Sequence, residues 1–204
     1  MDTTALHTLT EEFAAYLSEL TPGDLTATTP CAGWDVDDLY RHVLEENARF
    51  GRAVAGAGGA PGDAPPEPAP SAPDTGARPW RGLDEDYRRT AAFMEHAFAA
   101  VTDTARTCRV PGVPGERTVH DLYEMQLCDT LIHTWDLARA TGFGYEPDPG
   151  IARTVLKRLE SVPDSARGGD RAFGAIQGAP DPAASVLERI VVLSGRTVEW
   201  PAGG

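Results

Sequence analysis

Apolar residues recur every three or four positions in four long stretches of the chain, which is the spacing of helices that each bury one face. The stretches cover residues 4–20, 36–55, 83–104 and 119–141. Pro22-Gly23 ends the first stretch, Asp35 precedes the second as an N-cap, and Gly142 follows the fourth. Four long helices in one chain predict an all-α helix bundle.

The remaining sequence is less regular. Residues 108–117 hold two prolines and two glycines, which predicts a turn or a short hairpin. A short helix is expected over residues 149–159 and a stronger one over residues 182–193, where Pro182 stands in the first turn after Asp181. We therefore predict a bundle over residues 1–145 and a C-terminal helical extension over residues 146–204 that packs on it.

One segment has a composition of its own. Residues 55–79 contain seven prolines, five glycines and seven alanines, and almost no large apolar side chain. Such a segment cannot repay its ordering entropy by burial, so we predict a mobile connection between the second and third helices. Three roles stay open for this segment: a slack connection, a lid, or a polyproline II ligand around Pro65-Pro66. The basic flanks common to such ligands are absent.

The net charge excludes some classes of binding partner. The chain has 18 Lys and Arg against 31 Asp and Glu, a net charge of −13, which argues against binding to nucleic acid or to anionic lipid. Its three cysteines form no Cys-x-x-Cys motif, and the first residues lack the features of a secretory signal. We expect a soluble cytoplasmic protein, and the oligomeric state stays open.

The fourth helix carries a pair of side chains suited to metal binding. Asp129 and His133 stand four residues apart, which places their Cβ atoms about 5–6 Å from each other on one helix face. A carboxylate and an imidazole so placed reach one cation, and a third ligand from a neighbouring helix would leave a coordination position for water or substrate. A hydrogen-bonded pair without metal is the alternative interpretation.

Two segments resemble a known family. TPCAGWDV at residues 29–36, followed by Asp38-Leu39 and His42-Val43, and HTWDLARATG at residues 133–142 resemble the mycothiol-dependent maleylpyruvate isomerase N-terminal domain, of the DinB-like superfamily. Phe173-Gly174, Leu187, Gly195-Arg196 and Trp200 resemble the tail of one subgroup. The resemblance covers most of the chain apart from residues 55–79.

The resemblance implies a DinB-like four-helix bundle that holds a divalent metal, usually zinc. Its implied ligands are His42 on the second helix with Asp129 and His133 on the fourth. The characterised isomerase type carries Glu where this chain has Asp129, and the shorter side chain changes the reach or angle of that ligand. Glu46, four residues after His42, is a candidate general base, or else a solvated helix acid.

The resemblance also implies a function. A metal-dependent isomerase or S-transferase would use mycothiol, a low-molecular-weight thiol, against an electrophilic small-molecule substrate. A non-catalytic bundle that binds metal or ligand, with a regulatory or resistance role, is the alternative. Neither spacing nor composition identifies the substrate.

Several neighbours of these residues keep two interpretations. Asp136 either accepts the second ring N–H of His133 or pairs with Arg139 three residues on. Trp34 and Trp135 either pack the ends of the bundle or line a pocket. No base stands beside Cys31 or Cys128 in the sequence, so neither is expected to be a nucleophile, and Cys128 is expected in the core.

Overall fold

Helices dominate the computed structural model, which describes residues 1–56, 82–168, 174–176, 181 and 183–200. The elements in chain order are α1 (Thr4–Ser18), α2 (Val36–Gly56), α3 (Leu83–Ala99), β1 (Thr107–Cys108), β2 (Arg117–Thr118), α4 (Val119–Thr141), α5 (Pro149–Glu160) and α6 (Val186–Leu193), with 3₁₀ turns at Asp24–Thr26 and Asp164–Ala166. The all-α prediction is confirmed. The predicted mobile insert lies outside the described residues from position 57 onward, as does Phe173.

The chain forms two compact units. The first comprises residues 1–22 and 40–126, and the second residues 23–39 and 127–204. Helices α2 and α4 therefore each contribute residues to both units. The predicted domains, residues 1–145 and 146–204, follow from the helix pattern along the sequence and not from contacts between residues, and they stay a prediction.

The core of the first unit is built where α1 packs against α3. Phe13 and Tyr87 are both buried, and their rings meet at a centroid distance of 4.6 Å. Fully burying a side chain of this size stabilises the fold by about 1.5–3 kcal/mol. The buried polar side chains there are paired as well: Asn47 on α2 donates to the Thr90 hydroxyl at 3.3 Å.

A hairpin leads into α4, as the sequence predicted. Strands β1 and β2 pair antiparallel, with Thr107 opposite Thr118. The Thr118 hydroxyl then accepts a hydrogen bond from the Asp121 backbone N–H at 3.0 Å and caps the first turn of α4. At the other end Gly142 adopts φ +77°, and the Phe143 N–H donates to the Ala138 carbonyl at 2.8 Å, which is the pattern of a Schellman cap.

In the second unit, α5 and α6 pack against each other. Asp148 caps α5 by accepting from the N–H groups of Gly150 and Ile151. The guanidinium of Arg167 donates to carbonyls at the C-terminal ends of both helices, those of Leu159 and Leu193. No helix in the described part of the chain is both long enough and apolar enough to cross a membrane.

Three predicted helix ends differ from the structure. Helix α1 ends at Ser18 instead of Leu20, and α3 ends at Ala99 instead of Thr104. Near the second end, Asp103 accepts a hydrogen bond from the Ala105 N–H, a local alternative to helical bonding. Helix α6 starts at Val186, not Pro182, because Ser185 and Glu188 form a reciprocal capping box there.

Replacement of Gly142 by alanine tests the end of α4. Its positive φ is unfavourable for a residue with a Cβ atom, so we expect Gly142→Ala to lower the free energy of unfolding by about 1–2 kcal/mol. Gly144→Ala is the matched control, because Gly144 has no positive φ and an added Cβ would meet no atom within 4 Å. Equal urea midpoints for the two variants would contradict the requirement for glycine at position 142.

Candidate functional site

The metal-binding pair predicted on α4 is formed in the second unit. His133 Nε2 lies 3.4 Å from Asp129 Oδ1. The His133 side chain is 8% exposed and that of Asp129 is 28% exposed, so the pair is buried on one side and open on the other. Helical periodicity thus brings together the two donors that the sequence indicated, and their ligation of a metal stays a prediction.

A second carboxylate holds the other ring nitrogen of His133. His133 Nδ1 lies 2.9 Å from Asp136 Oδ2. The pKa of His133 is raised well above its usual value: burial lowers it, but the charge of Asp129 and hydrogen bonds to Asp129 and Asp136 outweigh burial. The imidazole is therefore fixed between two carboxylates, one on each nitrogen.

Asp136 is fully buried and is paired with a distant arginine. Arg196 Nη2 donates to Asp136 Oδ2 at 2.8 Å, and Arg196 Nε donates to Oδ1 at 3.2 Å. Burial raises the pKa of Asp136, but the charge of Arg196 and the hydrogen bond from His133 hold it below its usual value. This two-point geometry is the strong form of an arginine–carboxylate pair.

Of the two interpretations of Asp136, the hydrogen bond with His133 is confirmed and the pair with Arg139 is wrong. Arg139 instead donates to the backbone carbonyls of Val198 and Trp200, at 3.2 and 3.1 Å. Its guanidinium lies 5.8 Å from the ring centroid of Trp135. The tail after α6 therefore engages α4 through both arginines.

Cys31 joins the same cluster, which the sequence did not indicate. Its Sγ lies 3.2 Å from Asp136 Oδ2, 3.1 Å from Arg196 Nη2 and 4.0 Å from His133 Nδ1. The structure thus places a carboxylate and an imidazole beside Cys31, which the sequence could not show because these partners are far away along the chain. That Cys31 is not a nucleophile stays a prediction. The only signal was that Cys31 and His133 fall in the two segments that carry the family resemblance. Cys128 is buried, as expected for a core residue.

A short loop positions Cys31 and Trp34. The Thr29 N–H donates to the Trp34 carbonyl at 3.0 Å, and Gly33 adopts φ +81°, which closes a tight turn. The Trp34 ring then stacks near His133, with ring centroids 6.2 Å apart and an interplanar angle of 24°. Trp34 thus covers one face of the imidazole, whereas Trp135 is buried.

The remaining predicted site residues lie on the part of α2 that belongs to the first unit. His42 is partly buried there. Glu46 is buried and forms an ion pair with Arg49, which also donates to the Pro111 carbonyl at 2.8 Å. Ligation by His42 and catalysis by Glu46 stay predictions.

Comparisons with known proteins find the same family that residues 29–43 and 133–142 resemble. The family model described as the mycothiol maleylpyruvate isomerase N-terminal domain matches residues 6–138. Two uncharacterized proteins of Mycobacterium tuberculosis, from strains CDC 1551 / Oshkosh and ATCC 25618 / H37Rv, are each 33% identical over 144 residues, which is 70% of this chain and 68% of the relative. No solved structure matches.

Replacement of Arg196 tests the buried pair with Asp136. Arg196→Met leaves a fully buried carboxylate without its cation, and we expect the free energy of unfolding to fall by about 3–5 kcal/mol. Arg189→Met is the control, because Arg189 pairs with Glu160 at a partly exposed site and its loss should cost less than about 1 kcal/mol. If both variants lost a similar free energy of unfolding in denaturant, the burial of the Asp136 carboxylate would not depend on Arg196.

Proposed function

The chain belongs to the family of the mycothiol maleylpyruvate isomerase N-terminal domain, and we propose that it is a metal-dependent enzyme that uses a low-molecular-weight thiol on an electrophilic small molecule. The reaction class is isomerisation or S-transfer. The observation that carries the proposal is the Asp129–His133 pair, whose donor atoms lie 3.4 Å apart on one helix face. The resemblance of residues 29–43 and 133–142 supports the same site.

The donor chemistry fits a divalent cation. His133 offers Nε2 and Asp129 a carboxylate oxygen, which are ligand types that zinc accepts at about 2.0–2.2 Å. We propose His42 as the third ligand, on the resemblance alone, and zinc as the usual metal of such sites. Asp129 is a methylene shorter than the Glu of the characterised isomerase type, so metal affinity or angle should differ from that type.

A bound cation would supply Lewis acidity and would lower the pKa of a thiol that coordinates it. The protein's own residues then have separate tasks. Asp129 and His133 hold the cation, and Trp34 shields one face of the imidazole from water. Glu46 is the proposed proton acceptor.

A non-catalytic role is the second candidate. The ion pair between Glu46 and Arg49 favours it, because it engages the carboxylate proposed as the base. In that case the bundle would bind a metal or a small ligand in a regulatory or resistance role. We propose a cytoplasmic location for either function; the three free cysteines agree with the reducing conditions there.

Metal content tests the site. After exposure to Zn²⁺ and removal of the excess, elemental analysis of the wild type should find about one equivalent of metal per chain. His133→Ala, Asp129→Asn and His42→Ala should each lose it. His120→Ala is the matched control, since His120 forms an exposed pair with Glu124, also four residues apart on α4. A wild type that retains no metal would overturn the proposal.

Turnover separates the two candidate functions. With mycothiol and maleylpyruvate as probes, the zinc-loaded protein should show metal-dependent isomerisation, and Glu46→Gln should slow it about 10²–10⁴-fold. Glu45→Gln, at an exposed neighbouring position on α2, should leave the rate unchanged. Metal binding without turnover of this pair or of other thiol and electrophile pairs would favour the non-catalytic role.

A further inference from the structure

We propose that Asp136 and Arg196 form a positioning pair that decides which nitrogen of His133 faces the metal. Asp136 Oδ2 lies 2.9 Å from His133 Nδ1, so Nδ1 keeps a proton and donates it to the carboxylate. Nε2 is then the nitrogen directed at Asp129. The inference rests on the proposed function only in naming the ligand of Nε2 as a metal ion.

Arg196 is needed because Asp136 has no access to water. A fully buried carboxylate is costly unless it is paired, and Arg196 contacts both of its oxygens. Two parallel contacts fix the plane of the carboxylate as well as its charge. Lysine carries the same charge on a single nitrogen and cannot reproduce both contacts.

The charge of Arg196 also explains why the metal is expected on the Nε2 side. Cys31, His133 and Asp136 offer three ligand atoms within 4.8 Å of one another, which by distance alone would suit a cation. The guanidinium of Arg196 lies 2.8 Å from the Asp136 oxygen and 3.1 Å from the Cys31 sulfur. A fixed positive charge occupies that side of the imidazole and opposes a second cation there.

Cys31 fits this arrangement as a hydrogen-bonding neighbour of the pair. Its sulfur lies 3.2 Å from the same Asp136 oxygen that faces His133. Serine is smaller but keeps a donor at this position, so Cys31→Ser should preserve the positioning of His133. A cysteine that instead ligated the metal could not be replaced in this way.

Arg196 lies beyond the residues that the family model matches, which end at position 138. Arg196 follows α6 and contacts Asp136, which in turn contacts His133. The proposal therefore assigns the segment after α6 a part in forming the site, in addition to its packing.

The first test uses the metal-free protein, labelled with ¹⁵N in histidine. In the wild type, NMR should show a proton on His133 Nδ1 that exchanges slowly with solvent. Arg196→Lys should accelerate this exchange about tenfold or more, while Arg189→Lys should not change it. Circular dichroism establishes that each variant is folded. A wild-type His133 without a proton on Nδ1, or equal exchange in both variants, would overturn the proposal.

The second test measures metal affinity by titration with Co²⁺. Because partners of a ligating histidine affect affinity about 10- to 100-fold, Arg196→Lys should weaken binding by this factor, and Arg189→Lys and Cys31→Ser should leave it unchanged. A thiolate-to-cobalt charge-transfer band that disappears in Cys31→Ser would place the metal on the Nδ1 side and overturn the proposal. If the wild type binds no Co²⁺ or Zn²⁺, the proposed function fails, and the NMR experiment still decides the positioning of His133.

Discussion

The buried carboxylate of Asp136 is the constraint on which the rest of the candidate site depends. A charge with no access to water must find partners inside the protein, and in the described part of the chain Asp136 contacts Arg196, His133 and Cys31. Each partner comes from a different segment of the second unit. One buried oxygen, Asp136 Oδ2, therefore ties the loop before α2, the middle of α4 and the segment after α6 to a common geometry.

This constraint makes the two sides of His133 unequal. Each ring nitrogen faces a carboxylate, and the Asp136 side also holds the guanidinium of Arg196. The charge on that side is balanced within the protein. On the other side Asp129 is partly exposed. The access to solvent lies on the side where a cation is proposed to bind.

Most of the secondary structure follows from local chemistry, and this is why the sequence predicted it well. The Thr118 cap and Gly142 define α4 because both act within one helical turn. The errors are also local in origin. Helix α6 begins after Ser185 and not after Asp181. The Ser185 hydroxyl and the Glu188 carboxylate each accept a hydrogen bond from the other residue's backbone N–H. Periodicity indicates that a helix exists but does not rank competing caps.

The sequence by itself determined the Asp129–His133 pair, because residues four apart on a helix must share a face. The sequence also indicated the family, through the segments around Cys31 and after His133. Only the tertiary structure decided what stabilises that pair. Cys31 and Arg196 lie 105 and 60 residues from Asp136, and no helical period or local motif relates positions so far apart. Their meeting results from chain packing around a charge that cannot be buried alone.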